Sequence, residues 1–340
     1  MKYFSWLPQG TYIAIWLSVV VCATASAVLI WTTLQSFMVD PGVAPLTIDR
    51  TRQPRLLDGV YVASSTATLA PFAAIIENHV DARPVAGLEH ARIIYETIVE
   101  GDITRFLAIF DGATDVKKIG PIRSARPFLV HLAQQWNPIL FHAGGSPEAL
   151  ELLRQSTMHN INEISADGIY FWRASYRSAP HNLYTSSAQM VRAQQARQAP
   201  EQGTFQPYRF KADTPTSSPA VPEVTLPVSP NSAYVPVFVY NSGDNDYTRY
   251  QAGEIHTSES GIVLKAKNII EQRVAADVID TYGRLDVDVL SSGACVVYRD
   301  GAAIPCTWQF VDGRTHYLDP EGQPILFNRG TIWIGLVFTR

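Results

Sequence analysis

Runs of β-branched and aromatic residues, each closed by turn-forming residues, recur through the first half of this chain: FAAIIEN, ARIIYETIV, ITRFLAIF and NPILFHA. Such residues suit a pleated, packed surface, so each run predicts a strand. Interleaved with and following them, ARPFLVHLAQQW, PEALELLRQ and SAQMVRAQQARQ space their apolar residues at helical intervals. The alternation predicts an α/β (α+β) fold, a layered mixed sheet with helical cover. After residue 232 the helical pattern fades, and VPVFVY, GIVLKAKNIIEQ, LDVDVL, ACVVYRDGAAIPCTW, HYL and TIWIGLVF predict a smaller, mostly β second domain.

Two stretches break the pattern. Residues 199–231 carry Pro200, Pro207, Pro215, Pro219, Pro222, Pro227 and Pro230 among Ser and Thr, a density that predicts an extended linker. Residues 39–59 show neither periodicity and predict a tether. The expected organisation is therefore an anchor at 1–38, the tether, a first domain at 60–198, the linker, and a second domain at 232–340.

The anchor rests on the run from Thr11 to Val39, which has no charged residue and is long enough to cross a hydrocarbon core needing about 20 apolar residues. Lys2 on the short side predicts a cytoplasmic amino end and places the bulk of the chain outside the membrane. Cleavage after Ala25-Ser26-Ala27 and lipid attachment at Cys22 are the rival readings. The apolar run continues past both points, which favours an uncleaved helix.

Apart from Lys2, 26 basic residues face 31 acidic ones, a net charge of about −5 that excludes a basic nucleic-acid footprint. Besides Cys22 the only cysteines are Cys295 and Cys306. Asp300-Gly301 is a two-residue hairpin signal that sets these two opposite each other, and outside a membrane a disulfide is expected.

Candidate chemistry lies in the polar text between residues 77 and 186: ENH, RPVAGL, ITRFLAIFDG, KKIGPIRSARP, FHAGGSPEA and APHNLYTS. Arg, Glu, Asn and His beside Gly and Pro are the residue types of an enclosed polar site. Reading Gly101-Asp102 as a two-residue turn sets Ile98 opposite Arg105 and leaves Arg105 between Glu96 and Glu100. Ser124 is expected to cap a helix whose start Arg123 and Arg126 flank, an arrangement that holds phosphate or carboxylate. In FHAGGSPEA, Ser146 reads as a cap beside His142, and Gly144 and Gly145 allow close backbone approach to a ligand. His181 is the best acid/base candidate, with Asn182 and Tyr184 in the same loop. Glu77, Asn78 and Arg83 complete the candidate ligand-binding set. Six of the eight histidines fall in the first domain, but neither H-x-H nor H-E-x-x-H spacing occurs, so no metal and no cofactor is expected.

At these motifs the chain resembles the YerB-like family of bacterial envelope proteins, in PFAAIIENHVDARPVAGLEHARIIYE, GDITRFLAIF, KIGPIRSARP, FHAGGSPEA and APHNLYTS. In the second domain the likeness runs through YNSGDNDYTRYQAGEIHT and LFNRGTIWIGLV. The resemblance covers nearly all of the exterior and implies an α/β domain followed by a β-rich companion, displayed outside a bacterial membrane. It implies no particular activity, and lipid-anchored members make Cys22 a point of comparison.

The function expected is that of a single-pass, membrane-tethered envelope protein of the extracytoplasmic side. Its ligand is expected to be a cell-wall glycan or anionic polymer, with Arg105, Arg123 and Arg126 positioning it and Asn78, His181 and Asn182 hydrogen-bonding. The second domain would dock an envelope protein partner. One alternative is a wall-polymer hydrolase or transferase with His181 as base and Glu96 or Glu100 as acid; a ligand-free scaffold is another.

Overall fold

The computed structural model describes residues 16, 19–31 and 51–339. It divides into two units, residues 1–50 and 51–340. In the first unit, residues 19–31 are helical, with Val19, Val20, Val21, Leu29, Ile30 and Trp31 exposed. Among the described residues no helix is long and apolar enough to cross a membrane. Trp16 aside, the remainder of the expected 11–39 span, and the amino-terminal residues that orient it, lie outside the described residues.

The second unit is built on one sheet of eleven strands. In chain order the first half supplies β1 (Phe72–Glu77), β2 (Ile93–Ile98), β3 (Thr104–Phe110), α1 (Pro127–Gln134), β4 (Ile139–His142), α2 (Pro147–Gln155), β5 (Asn160–Asn162) and α3 (Ser187–Arg197). Every residue of β1 and β3 is buried, which explains their near-continuous apolar text: both faces of the sheet are covered. The second half supplies β6 (Glu223–Thr225), β7 (Pro236–Asn241), β8 (Asp246–Gln251), β9 (Glu254–Ile255) and β10 (Lys265–Ala266), which form a separate five-stranded sheet. It then adds β11 (Asn268–Val278), β12 (Leu285–Val287), β13 (Ser292–Arg299), β14 (Ala302–Val311), β15 (Arg314–Leu318) and β16 (Ile332–Thr339) to the large sheet.

The strand order of that sheet is β15-β14-β13-β11-β16-β2-β3-β1-β4-β5, with β12 pairing β11. The final strand β16 runs parallel to both β11 and β2, so the segments expected to be two domains share a single sheet. One face packs on α1 and α2 through Phe128, Leu129, Leu132, Ala149 and Leu153. The other packs on α3 and on the small sheet through Met190, Val224, Phe238 and Tyr247. Gly335 on β16 permits that second contact, because a Cβ there would meet Val228 Cγ1 at 2.8 Å and Leu226 Cδ1 at 2.9 Å.

Where they are described, at residues 51–59 and 199–231, the two expected irregular stretches pack on the rest of the unit. In the 39–59 tether, Leu57 and Asp58 are buried, and Arg55 pairs with Asp58 at 2.6 Å and Asp111 at 3.0 Å. In the 199–231 stretch, Arg209–Lys211 pairs in parallel with Leu326–Asn328, while Phe205, Tyr208 and Phe210 lie against the core. Proline density there marks an extended strap whose aromatic residues find partners far along the chain.

At the Asp300-Gly301 hairpin both residues have positive φ, and Cys295 lies opposite Cys306 with the expected disulfide formed at a Cα separation of 4.8 Å. Only ten residues are enclosed. Replacing both cysteines with alanine is expected to lower the unfolding free energy by on the order of 2 to 3 kcal/mol. Urea denaturation with and without reductant checks this: reductant should shift the wild type and leave the double variant unmoved.

Candidate functional site

The connection between β2 and β3 decides which side chains can meet. Gly101 and Asp102 both have positive φ, and the Val99 amide donates to the Ile103 carbonyl, so the loop holds three residues, Glu100 to Asp102, rather than two. Thr97, not Ile98, therefore lies opposite Arg105, and Glu96 lies opposite Phe106. A one-residue slip exchanges faces. Arg105 and Glu96 consequently point to opposite sides of the sheet, and the expected placement of Arg105 between Glu96 and Glu100 is corrected.

On the α1 side, Glu77 at the end of β1 lies opposite Arg105. Arg123 reaches Glu77 Oε1 at 2.9 Å, and His181 Nδ1 lies 3.0 Å from Glu77 Oε2. Arg105 donates from Nη1 to the Ser124 carbonyl at 2.7 Å, and Arg126 donates to both oxygens of Glu100, the Nη2 bond being 2.7 Å. Burial and the neighbouring Arg126 and Arg123 guanidinium groups push Arg105 down to about 9. Burial opposes ionisation of Glu100, but the Arg126 hydrogen bond and charge outweigh it and hold that carboxyl below its ordinary value. Three arginines thus crowd two carboxylates. Ser124 does not cap α1: Arg126 occupies the N-cap without a side-chain cap bond, and Pro127 follows as the first helical residue. The His79 ring stacks on His181 with centroids 4.9 Å apart, and His79 Nδ1 lies 3.5 Å from Asp81 Oδ2.

On the opposite face Glu96 is fully buried. Arg249 Nη2 donates to Glu96 Oε1 at 2.8 Å, and Trp333 Nε1 donates to Oε2 at 2.9 Å. Asn78 Nδ2 donates to Thr104 Oγ1 at 2.7 Å, and Arg83 Nε donates to Asn78 Oδ1 at 3.0 Å. Arg249 also contacts His256 Nδ1 and Gln251 Oε1, and its guanidinium sits 4.8 Å from the Trp333 ring centroid. Burial, then the charges of Arg249 and Arg83, lower the His256 pKa well below its ordinary value. This network ties the first half of the chain to the second. Arg249, His256 and Trp333 fall within the family-like segments of the second half, but nothing local pairs them with Glu96, because their meeting depends on β8 and β16 returning to β2.

The remaining candidates hold structure. His142 is fully buried, with Nδ1 2.8 Å from the Gly144 carbonyl and Nε2 3.2 Å from Asn160 Oδ1; burial lowers its pKa against those two bonds. Ser146 caps α2 by accepting from the Ala149 amide, so its oxygen is committed to the backbone. Gly145 lies against Ala125, and Gly144 has φ +66°. Asn182 donates to the Ala174 and Arg177 carbonyls, and Tyr184 is buried against Trp172 with Lys118 above its ring. The expected acid/base pairing of His181 with Glu96 is not assembled, since Glu96 points away from His181's partner Glu77.

Comparisons with known proteins find relatives for both halves of the chain. Residues 57–201 match the family described as "Protein of unknown function (DUF3048) N-terminal domain", and residues 224–334 match its C-terminal domain. The chain is 32% identical over 297 residues to a Bacillus subtilis (strain 168) protein named "Putative lipoprotein YerB", covering 86% of this chain and 88% of that one. The crystal structure of the Bacillus subtilis YerB protein superposes with a TM-score of 0.76 at 31% identity, over 83% of this chain and 95% of that one. With both halves matched and the fold shared, the chain belongs to the DUF3048, or YerB-like, family.

Proposed function

We propose that this chain is a membrane-anchored, extracytoplasmic protein of the bacterial cell envelope that binds an anionic wall polymer at the Arg105–Arg123–Arg126 cluster. The apolar amino-terminal run and the lipoprotein designation of the Bacillus subtilis relative support the anchoring. The observation that carries the binding is the excess of guanidinium over carboxylate beside a helix start that no side chain caps. An arginine whose affinity for its proton is lowered by burial first, and then by the like charges of Arg126 and Arg123, is stabilised by an added negative charge. Arg123 and Arg126, about a quarter and a seventh exposed, can exchange part of their pairing for a phosphodiester or carboxylate.

Short-chain polyphosphate tests this on the full chain in detergent. Its thermal midpoint should rise with polyphosphate at low salt and less at high salt. Arg123→Ala with Arg126→Ala should weaken binding by at least about tenfold, since a hydrogen bond to a charged group contributes roughly 1.5–3 kcal/mol. An equal rise in the double variant, or an equal rise with an uncharged glycan, would overturn the proposal.

A further inference from the structure

Beside the arginine cluster, and on different residues, lies a donor set with another chemistry. His79, Asp81 and His181 each offer one nitrogen or oxygen atom, all lying within 4.8 Å of one another. His79 and Asp81 come from one short loop after β1, in H-x-D spacing, while His181 arrives from the loop preceding α3. Behind them stands Glu77, 4% exposed, whose Oε2 is buried and makes no hydrogen bond although His181 Nδ1 is 3.0 Å away.

From this geometry we propose that His79, Asp81 and His181 form a binding site for a divalent transition metal of the zinc class, with Glu77 orienting His181. Ligands of a tetrahedral zinc ion, at bond lengths of about 2.0–2.2 Å, stand roughly 3.4 Å apart. His79 Nδ1 and Asp81 Oδ2, 3.5 Å apart, already have that separation. The His79 and His181 rings now stack at 22° with centroids 4.9 Å apart, so coordination requires one ring to turn until both nitrogens face the ion in their own planes. His181 Nδ1 faces the Glu77 carboxylate, the arrangement that fixes a histidine tautomer and leaves Nε2 free to coordinate. Glu77 is itself held by Arg123 on the other oxygen, so its orientation does not depend on the ion. His79 Nδ1 now accepts from the Asp81 amide at 3.2 Å, and coordination exchanges that bond for one to the metal. Two imidazoles with one carboxylate favour zinc, cobalt or nickel over magnesium and calcium, which take all-oxygen shells. The exposed Asp81 side leaves a position for water or for an anion.

The full chain in detergent, stripped with EDTA and then freed of it, should bind one equivalent of Zn²⁺ in competition with a chromophoric chelator. Co²⁺ should give ligand-field absorption that Zn²⁺ quenches, and excess Mg²⁺ should leave both unchanged. His79→Ala and Asp81→Asn should each weaken Zn²⁺ binding at least tenfold. Arg126→Gln, which the anion-binding proposal needs and which alters none of the four residues, should leave it intact. The Asp81 side chain is 70% exposed, so Asp81→Asn should keep the metal-free thermal midpoint and exclude misfolding as the cause. Wild-type uptake no tighter than that of either variant would overturn the metal site while leaving the polyphosphate result untouched.

Discussion

Replacing Arg249 with methionine is expected to lower the unfolding free energy by about 3–5 kcal/mol, measured by urea denaturation. The guanidinium and the Glu96 carboxylate are both fully buried, and neither can recover water if the other is lost. Glu96 would keep its bond from Trp333 and a longer-range attraction to Arg83, but it would lose its ion pair, and methionine would fill the space between Phe106, Phe238 and Trp333 that the guanidinium now occupies. The cost is therefore that of an orphaned ion rather than of one contact. Adding Glu96→Gln to Arg249→Met should restore most of the loss, because the amide oxygen still accepts from Trp333 Nε1 without a charge. A single-variant cost below about 1 kcal/mol would mean that water reaches the pair.

The second large effect is on acid stability. His142 and His256 both have pKa values lowered by burial, in His256 further by Arg249 and Arg83. Below an unfolded-state pKa of about 6.5, the unfolded chain takes up protons that the native chain refuses. The stability these groups confer is full above that value and falls as pH drops, by up to about 1.4 kcal/mol per pH unit for each histidine. Denaturation curves at pH 7, 6 and 5 should show the decline, and His256→Gln should flatten part of it. A free energy constant across that range would contradict the neutral, buried state assigned to both rings.

Much of this fold is legible in the sequence, and the failures share one physical origin. The strands β1 to β4 and the helices α1 to α3 follow from local spacing of apolar residues, and the Cys295–Cys306 pairing follows from a two-residue turn. Gly101-Asp102 offers a similar local signal, yet Glu100 joins that loop and reverses the facing of Glu96 and Arg105. Nothing within ten residues distinguishes the two outcomes. The shared sheet is less legible still: β16 lies beside β2 through parallel pairing across more than two hundred residues, and parallel register leaves no turn to read. The arginine cluster was visible as motifs. Of His79, Asp81 and His181, only His181 stands out as a candidate in the sequence, because the residues it meets lie a hundred positions away.

The position of β16 also sets the order in which the molecule can be completed. Until Ile332–Thr339 has been synthesised, β2 and β11 each present an unpaired edge of apolar strand, and the Glu96 carboxylate lacks its Trp333 donor. Open edges of this kind invite pairing with other chains. A chain still lacking this strand carries that hazard until it is in place, and removal of Ile332–Thr339 would reopen the middle of the sheet rather than trim its end.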